Sequence, residues 1–212
     1  MANKIYKILL IGPQASGKGT QAETLSRKYN LPVFSTGNIL RQQVAKGDDL
    51  GKQVAEIINK GQLVPDDLVN KIIAEKIAAN RAQGYILDGY PRNLSQVNFL
   101  AAKDKLTHVF EIYISDKEAV RRISERRTCP KCQTVYHLKY NPPKSEGVCD
   151  KDGEALIIRA DEREEVVKTR LKNYHQLTEP ILEFYQEKGV YHKINGEQSI
   201  LKVSEDILKI FK

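Results

Sequence analysis

Ile8-Leu9-Leu10-Ile11 runs straight into Gly12-Pro13-Gln14-Ala15-Ser16-Gly17-Lys18, and a helix-compatible stretch at residues 19–29 follows. A strand-sized apolar run, a G-x-x-x-x-G-K turn and a helix form the arrangement that cradles a di- or triphosphate. Such a ligand carries several negative charges that must be held away from bulk water. Successive backbone amides at a helix N-terminus offer fixed partial positive charge for this, and Lys18 adds a mobile full charge between the β- and γ-phosphates. Gly19 stands where a Ser or Thr commonly ligates magnesium, with Thr20 one place later, so ligation through Thr20 is left open. The competing reading, a glycine-rich turn with a solvated lysine, is disfavoured by the strand-turn-helix context.

Around this loop lies a chain of 212 residues, 41% apolar and 29% charged. That composition excludes a disordered, collagenous or disulfide-scaffold chain. No run approaches the roughly 20 apolar residues of a membrane-spanning helix. Met1-Ala2-Asn3-Lys4 leads into the first strand without the apolar core and cleavage site of a secretory signal, which points to the cytoplasm. Thirty-four Lys and Arg against 27 Asp and Glu give a formal +7. That surplus suits a nucleic acid, an anionic surface or a phosphate-bearing small molecule, and equally an ordinary solvated surface.

Short apolar runs at residues 5–11, 33–34, 85–87, 108–114 and 190–194 alternate with helical periodicity over 66–80, 116–127 and 161–187. The alternation predicts an α/β fold with a parallel sheet, because strands buried on both faces read as nearly continuous apolar runs. Ser115-Asp116-Lys117-Glu118 has the spacing of a capping box and marks a strand-to-helix turn. Two stretches break the rhythm. Residues 35–64 are polar and helical, with glycines at 37, 47, 51 and 61, and residues 128–158 are rich in Pro, Gly and Cys and too long for an ordinary connection. Both read as insertions on a core.

With Gly19-Thr20-Gln21 the loop resembles that of adenylate kinases. Ser35-Thr36-Gly37-Asn38-Ile39-Leu40-Arg41 and Gly61-Gln62-Leu63-Val64-Pro65-Asp66 are similar to the start and end of the family's AMP-binding insertion, and Tyr85-Ile86-Leu87-Asp88-Gly89-Tyr90-Pro91-Arg92, with Gln96, to its signature. Arg122, Arg126, Arg159 and Arg170 fall at the spacings of its phosphate-binding arginines. The resemblance covers nearly the whole chain. It implies a P-loop nucleoside monophosphate kinase with a five-stranded parallel sheet flanked by helices: a core of residues 1–34, 65–124 and 163–212, an AMP-binding insertion at 35–64 and a lid at 125–162.

It also implies site residues. Gly12, Ala15, Ser16, Gly17, Lys18, Gly19, Thr20, Arg126, Val135, Tyr136 and Gln198 would hold ATP. Thr36, Arg41, Gln62, Leu63, Val64, Gly89, Tyr90, Pro91, Arg92, Gln96, Arg159 and Arg170 would hold AMP. Lys18, Arg92, Arg122, Arg126, Arg159 and Arg170 would clamp the reacting phosphates, and Asp88 would bind Mg²⁺ through water. A monomer acting on ATP, AMP and ADP, with no nucleic-acid or membrane partner, is implied in the same way. Gln14, Ala15, Asn38 and Glu162 depart from the family's usual residues, none of them at a phosphate-binding charge.

The arginines make chemical sense on their own. Arg170 belongs to a mostly apolar helical stripe, Val166, Arg170, Tyr174, Leu177, Ile181, where a guanidinium needs an anion or an internal carboxylate. Arg122 and Arg126 are one turn apart on a predicted helix and can reach one anion, or form a solvated basic face. Planar guanidinium forks bridge the oxygens of two opposed phosphate chains. A phosphate acceptor, with a second pKa near 6, is largely ionised at neutral pH, so no general base is required. Asp88 then suits water-mediated magnesium, or a turn. Gln96 can pair with a base edge, or sit idle at a rim. The reading is direct in-line transfer from ATP to AMP.

Cys129-Pro-Lys-Cys132 and, after sixteen residues, Cys149-Asp-Lys-Asp152 form two knuckles whose spacing suits a structural zinc ribbon. Cys129, Cys132, Cys149 and Asp152 are the expected ligands, with Asp150 and His137 as rivals for the fourth place and iron as a rival metal. Resemblance supports zinc, since some bacterial adenylate kinases carry such a site in the lid. Alternatives are a UMP or CMP kinase and, more distantly, a zinc-ribbon nucleic-acid-binding protein.

Overall fold

In the computed structural model, which describes residues 4–211, β1 (Lys7–Ile11) lies at the centre of a five-stranded parallel sheet. It sits between β3 (Tyr85–Asp88) and β4 (His108–Tyr113), with β2 (Val33–Ser35) and β7 (Tyr191–Asn195) at the edges. The reading of Met1–Asn3 as leaderless and the last residue of the core, Lys212, lie outside the described residues. Leu9 pairs with Leu87 and Val109, and Leu10 with Asp88 and Phe110.

Successive side chains of a strand point to opposite faces. Leu9 and Ile11 therefore pack with α4 (Asp66–Asn80), α5 (Leu94–Lys103) and α8 (Ile181–Glu187). Ile8 and Leu10 pack with α1 (Lys18–Tyr29) and α9 (Ile200–Ile210) on the other face. Both faces are covered, which is why this strand reads as an unbroken apolar run. Because all five strands run the same way, their carboxyl ends bring Gly12, Ser35, Asp88 and Asn195 to one edge, where open α/β sheets bind ligands. At Gly12 a Cβ would meet the carbonyl oxygen of Ile112 at 2.3 Å, and φ is +145°, so the loop crosses β4 only through a glycine.

Residues 35–64 contain α2 (Thr36–Ala45) and α3 (Asp49–Asn59), the latter capped by Asp48, which accepts from the Gly51 amide at 2.7 Å. Beyond α6 (Asp116–Ser124), β5 (Arg126–Thr128) pairs antiparallel with β6 (Val135–His137). Cys129, Tyr136, Cys149 and Leu156 form a small cluster there.

Three expectations need correction. The helix predicted over 116–127 ends at Ser124, and Arg126 lies on β5, so Arg122 and Arg126 do not share a helical face. The predicted helical run 161–187 is broken. A 3-10 turn at Ala160–Glu162 precedes α7 (Glu164–Asn173), a π-helical turn at Tyr174–Thr178 follows, and α8 restarts after Pro180. The wide turn alters the helical period, and Leu177 leaves the apolar stripe at 41% exposure. The capping box at Ser115 is half-formed. Its hydroxyl accepts from the Glu118 amide at 3.4 Å, but Glu118 turns to Arg121 and Arg122, and Glu197 takes the Ser115 amide at 2.7 Å instead. Among the described residues no helix is long and apolar enough to cross a membrane.

Candidate active site

The phosphate loop is built by backbone conformation. Ala15 and Gly17 have φ of 59° and 98° between residues of negative φ, an alternation that turns successive amides toward a common centre. The Lys18 ammonium donates to the carbonyls of Gly12 at 2.8 Å and Pro13 at 2.6 Å. Burial pulls the Lys18 pKa down to about 8; Asp88 opposes that fall, while Arg92, Arg170 and Arg126 add to it.

A cavity of about 670 Å³ opens from this loop, past Asp88, toward α2 in one direction and β6 in the other. Lys18, Arg41, Arg92, Arg122, Arg126, Arg159 and Arg170 all line it. Carboxylates offset part of this charge. Arg170 donates to Asp161 at 2.5 Å, and the buried Glu162 bridges Arg126 and Arg159. The longer Glu162, rather than an aspartate, spans both guanidinium groups.

The compensation is incomplete. Burial, then the neighbouring Arg41 and Arg126, push Arg159 down to about 9; burial and Arg170 push Arg92 down to about 10. Arg41 and Arg170 are lowered too, by burial first. The Nε atoms of Arg41, Arg126 and Arg159 are buried without a hydrogen-bond acceptor in the protein. Buried donors are normally satisfied, so this crowd of cations is arranged for an anion. Arg122 is held differently: it donates to Glu118 at 2.7 Å and to the Gly196 carbonyl at 2.9 Å, and lies over the Tyr140 ring.

At the α2 end, the Thr36 hydroxyl donates to the Gly89 carbonyl at 2.7 Å, and Arg92 Nε to the same oxygen at 2.7 Å. Gln96 is buried rather than at a rim. Its carbonyl accepts from the Arg92 amide at 2.8 Å and its Nε2 donates to Asp66 at 2.7 Å, leaving one N–H and one lone pair for a ligand. Gln62, Leu63, Val64, Gly89 and Pro91 line the cavity. Tyr90 does not: it is fully buried, with its hydroxyl donating to Asn70 at 2.5 Å.

At the other end Val135, Tyr136 and Gln198 line the wall, as do Gly12, Ala15, Gly17, Gly19 and Thr20, whereas the Ser16 side chain is buried behind it. Sequence reasoning missed the supports. Asp66 orients Gln96, and Thr178 donates to the Arg92 carbonyl at 2.8 Å. Only the position of Asp66, just after the Val64-Pro65 turn, hinted at the first; nothing in the sequence marked the second.

The four metal-ligand candidates do converge. The Sγ atoms of Cys129, Cys132 and Cys149 and a carboxylate oxygen of Asp152 lie within 4.8 Å of one another. Each knuckle is closed by the same pair of bonds. Gln133 and Gly153, both at positive φ, donate to the carbonyls of Cys129 and Cys149, and the amides of those cysteines donate to Thr134 and Glu154. Three thiols and one carboxylate at this spacing are compatible with tetrahedral zinc. The rivals point elsewhere: His137 Nδ1 faces the Lys139 amide at 3.2 Å, and Asp150 accepts from the Lys144 amide at 2.8 Å.

A P-loop at the edge of a five-stranded parallel sheet, opening on one cavity lined by arginines from separate stretches, is the arrangement of a nucleoside monophosphate kinase. A family model described as adenylate kinase matches residues 10–190. The chain is 45% identical to the adenylate kinase of Chloroherpeton thalassium over 96% of this chain and 97% of that protein. It is 42% identical to that of Oceanobacillus iheyensis (97% and 98% covered) and 41% to that of Archaeoglobus fulgidus (97% of each). The chain belongs to the adenylate kinase family, the ATP:AMP phosphotransferases.

Proposed function

We propose that the chain moves the terminal phosphoryl group of magnesium-bound ATP directly onto AMP, giving two ADP, with residues 35–64 and 125–162 closing over the core. The observation that carries this reading is the gathering of Lys18 with Arg41, Arg92, Arg122, Arg126, Arg159 and Arg170, from separate stretches, on one cavity, with the Nε of Arg41, Arg126 and Arg159 buried and unaccepted. ATP phosphates lie on the loop amides from Gly12 to Thr20, with Lys18 and Arg126. AMP lies against Thr36, Arg41, Arg92 and Gln96, between residues 62–64 and 89–91. Arg159 and Arg170 bridge the two phosphate chains, whose mutual repulsion is the main barrier to bringing them together. Arg122 borders the ATP end with Val135, Tyr136 and Gln198.

The Asp88 carboxylate, close enough to support the charge on Lys18, is a hard oxygen donor that suits magnesium through water. When bound, that ion neutralises charge between the nucleotides. Closure excludes water that would otherwise compete as acceptor. Cys129, Cys132, Cys149 and Asp152 would hold zinc, four protein ligands leaving no open position, so its contribution is rigidity. The enzyme is read as a cytoplasmic monomer acting on free nucleotides, without a nucleic-acid or membrane partner.

ADP formation from ATP should require an acceptor and should be fastest with AMP in a panel with CMP, UMP and GMP. A strong preference for a pyrimidine would reassign the pocket, and a phosphorylated enzyme trapped during turnover would exclude direct transfer. Lys18 sets the pH dependence. In the free enzyme its charge is lost as pH rises through about 8, so kcat/KM for ATP should fall above that pH. In the ternary complex the phosphates hold the proton on, so kcat should stay level to higher pH. Parallel profiles for the two parameters would remove Lys18 from this role.

A further inference from the structure

The crest of the phosphate loop carries one long side chain that the reaction above does not use. Gln14 borders the cavity, and its Nε2 donates to the Val167 carbonyl in α7 at 2.9 Å, across 153 residues of sequence. Val167 lies three residues before Arg170 on the same helix. The next loop residue, Ala15, packs against Ile114, Ala119, Ile123, Val167 and Leu171. That packing is apolar and non-directional, so it keeps the loop and α7 together without setting their register. The Gln14 hydrogen bond is directional, and it joins the crest of the loop to the backbone of α7.

We propose that Gln14 is a positioning residue for phosphoryl transfer. By tying the phosphate loop to α7 it sets the separation between Lys18 on the loop and Arg170 on the helix, so that both cations meet the transferring group in one geometry. The proposal rests on the assignment of Arg170 to the phosphates. Its effect falls on the chemical step, because a misplacement of 1 Å can slow a reaction by about 10²-fold, while ATP is still held by the loop amides and Lys18.

The test is single-turnover transfer by the full-length enzyme carrying Gln14→Met, which keeps length and bulk but removes the N–H, in the wild-type and Arg170→Ala backgrounds. Gln14→Asn, which keeps the amide but is one methylene too short, serves as the second variant. Both should slow transfer about tenfold in the wild-type background. KM for ATP should change by no more than about twofold and Tm by no more than about 2 °C. In the Arg170→Ala background the loss should shrink to below about twofold, because the tie then has nothing to position. An unchanged rate overturns the proposal, as does the same tenfold loss in both backgrounds. Full-rate transfer by Arg170→Ala alone would instead overturn the role of Arg170 itself, which separates failure of the site reading from failure of the tie.

Discussion

Arg170→Ala should lower turnover by about 10³-fold, the lower end of what an arginine acting on a transferring phosphoryl group contributes, while leaving Tm within roughly 3 °C of the parent. The two halves of that result have different origins. Turnover falls because the guanidinium at 170 would bridge the two phosphate chains at their closest approach, and a water molecule in its place carries no charge. Stability holds because this cation is half-buried, repelled by Arg126 and supported by Asp161 and Glu162. Its removal leaves Asp161 without its partner and relieves the repulsion, two effects of opposite sign. Steady-state rates and calorimetry on the same preparation check both halves. Full turnover would end the assignment of Arg170, and a large drop in Tm would mean that its bond to Asp161 is structural.

The second large effect belongs to the knuckles. The enzyme as isolated should contain about one zinc per chain, and a strong chelator should lower Tm by roughly 10 °C, the equivalent of about 4 kcal/mol in a chain of this size. Residues 125–162 have little core of their own, with Cys129, Tyr136, Cys149 and Leu156 as its cluster. Two of those four are ligand candidates, so the metal substitutes for the missing apolar contacts. Cys149→Ser should reproduce the loss and abolish any further effect of the chelator. Because Arg126, Val135 and Tyr136 lie in the same segment, KM for ATP should rise with metal removal more than KM for AMP. A metal-free preparation melting at the same temperature as the holoenzyme would show that the cluster is not a structural metal site.

Both the phosphate loop and the knuckles were legible because their residues are nearly consecutive, so local spacing carries the geometry. The sheet was legible for a related reason: Ile8, Leu9 and Leu10 are each fully buried, and burial on both faces leaves no polar alternation to mislead. The arginines needed a family resemblance to be read together, since they come from separate stretches of chain. What escaped was tertiary. The bond from Thr178 to Arg92 spans 86 residues, and that from Gln96 to Asp66 spans 30. Neither side chain differs locally from one facing water. The end of α6 at Ser124 was missed because Glu125, Arg126 and Arg127 are good helix formers, overridden by pairing of β5 with β6. The π-helical turn escaped because a pattern of apolar positions does not register one extra residue.

Lys18 rests on the carbonyls of Gly12 and Pro13. Immobilising a free lysine side chain costs up to about 2 kcal/mol of rotamer entropy. Here that penalty is met once, when the polypeptide folds, and not again in every catalytic cycle. An arriving nucleotide finds the ammonium parked beside its berth, and has only to exchange two neutral oxygens for charged ones.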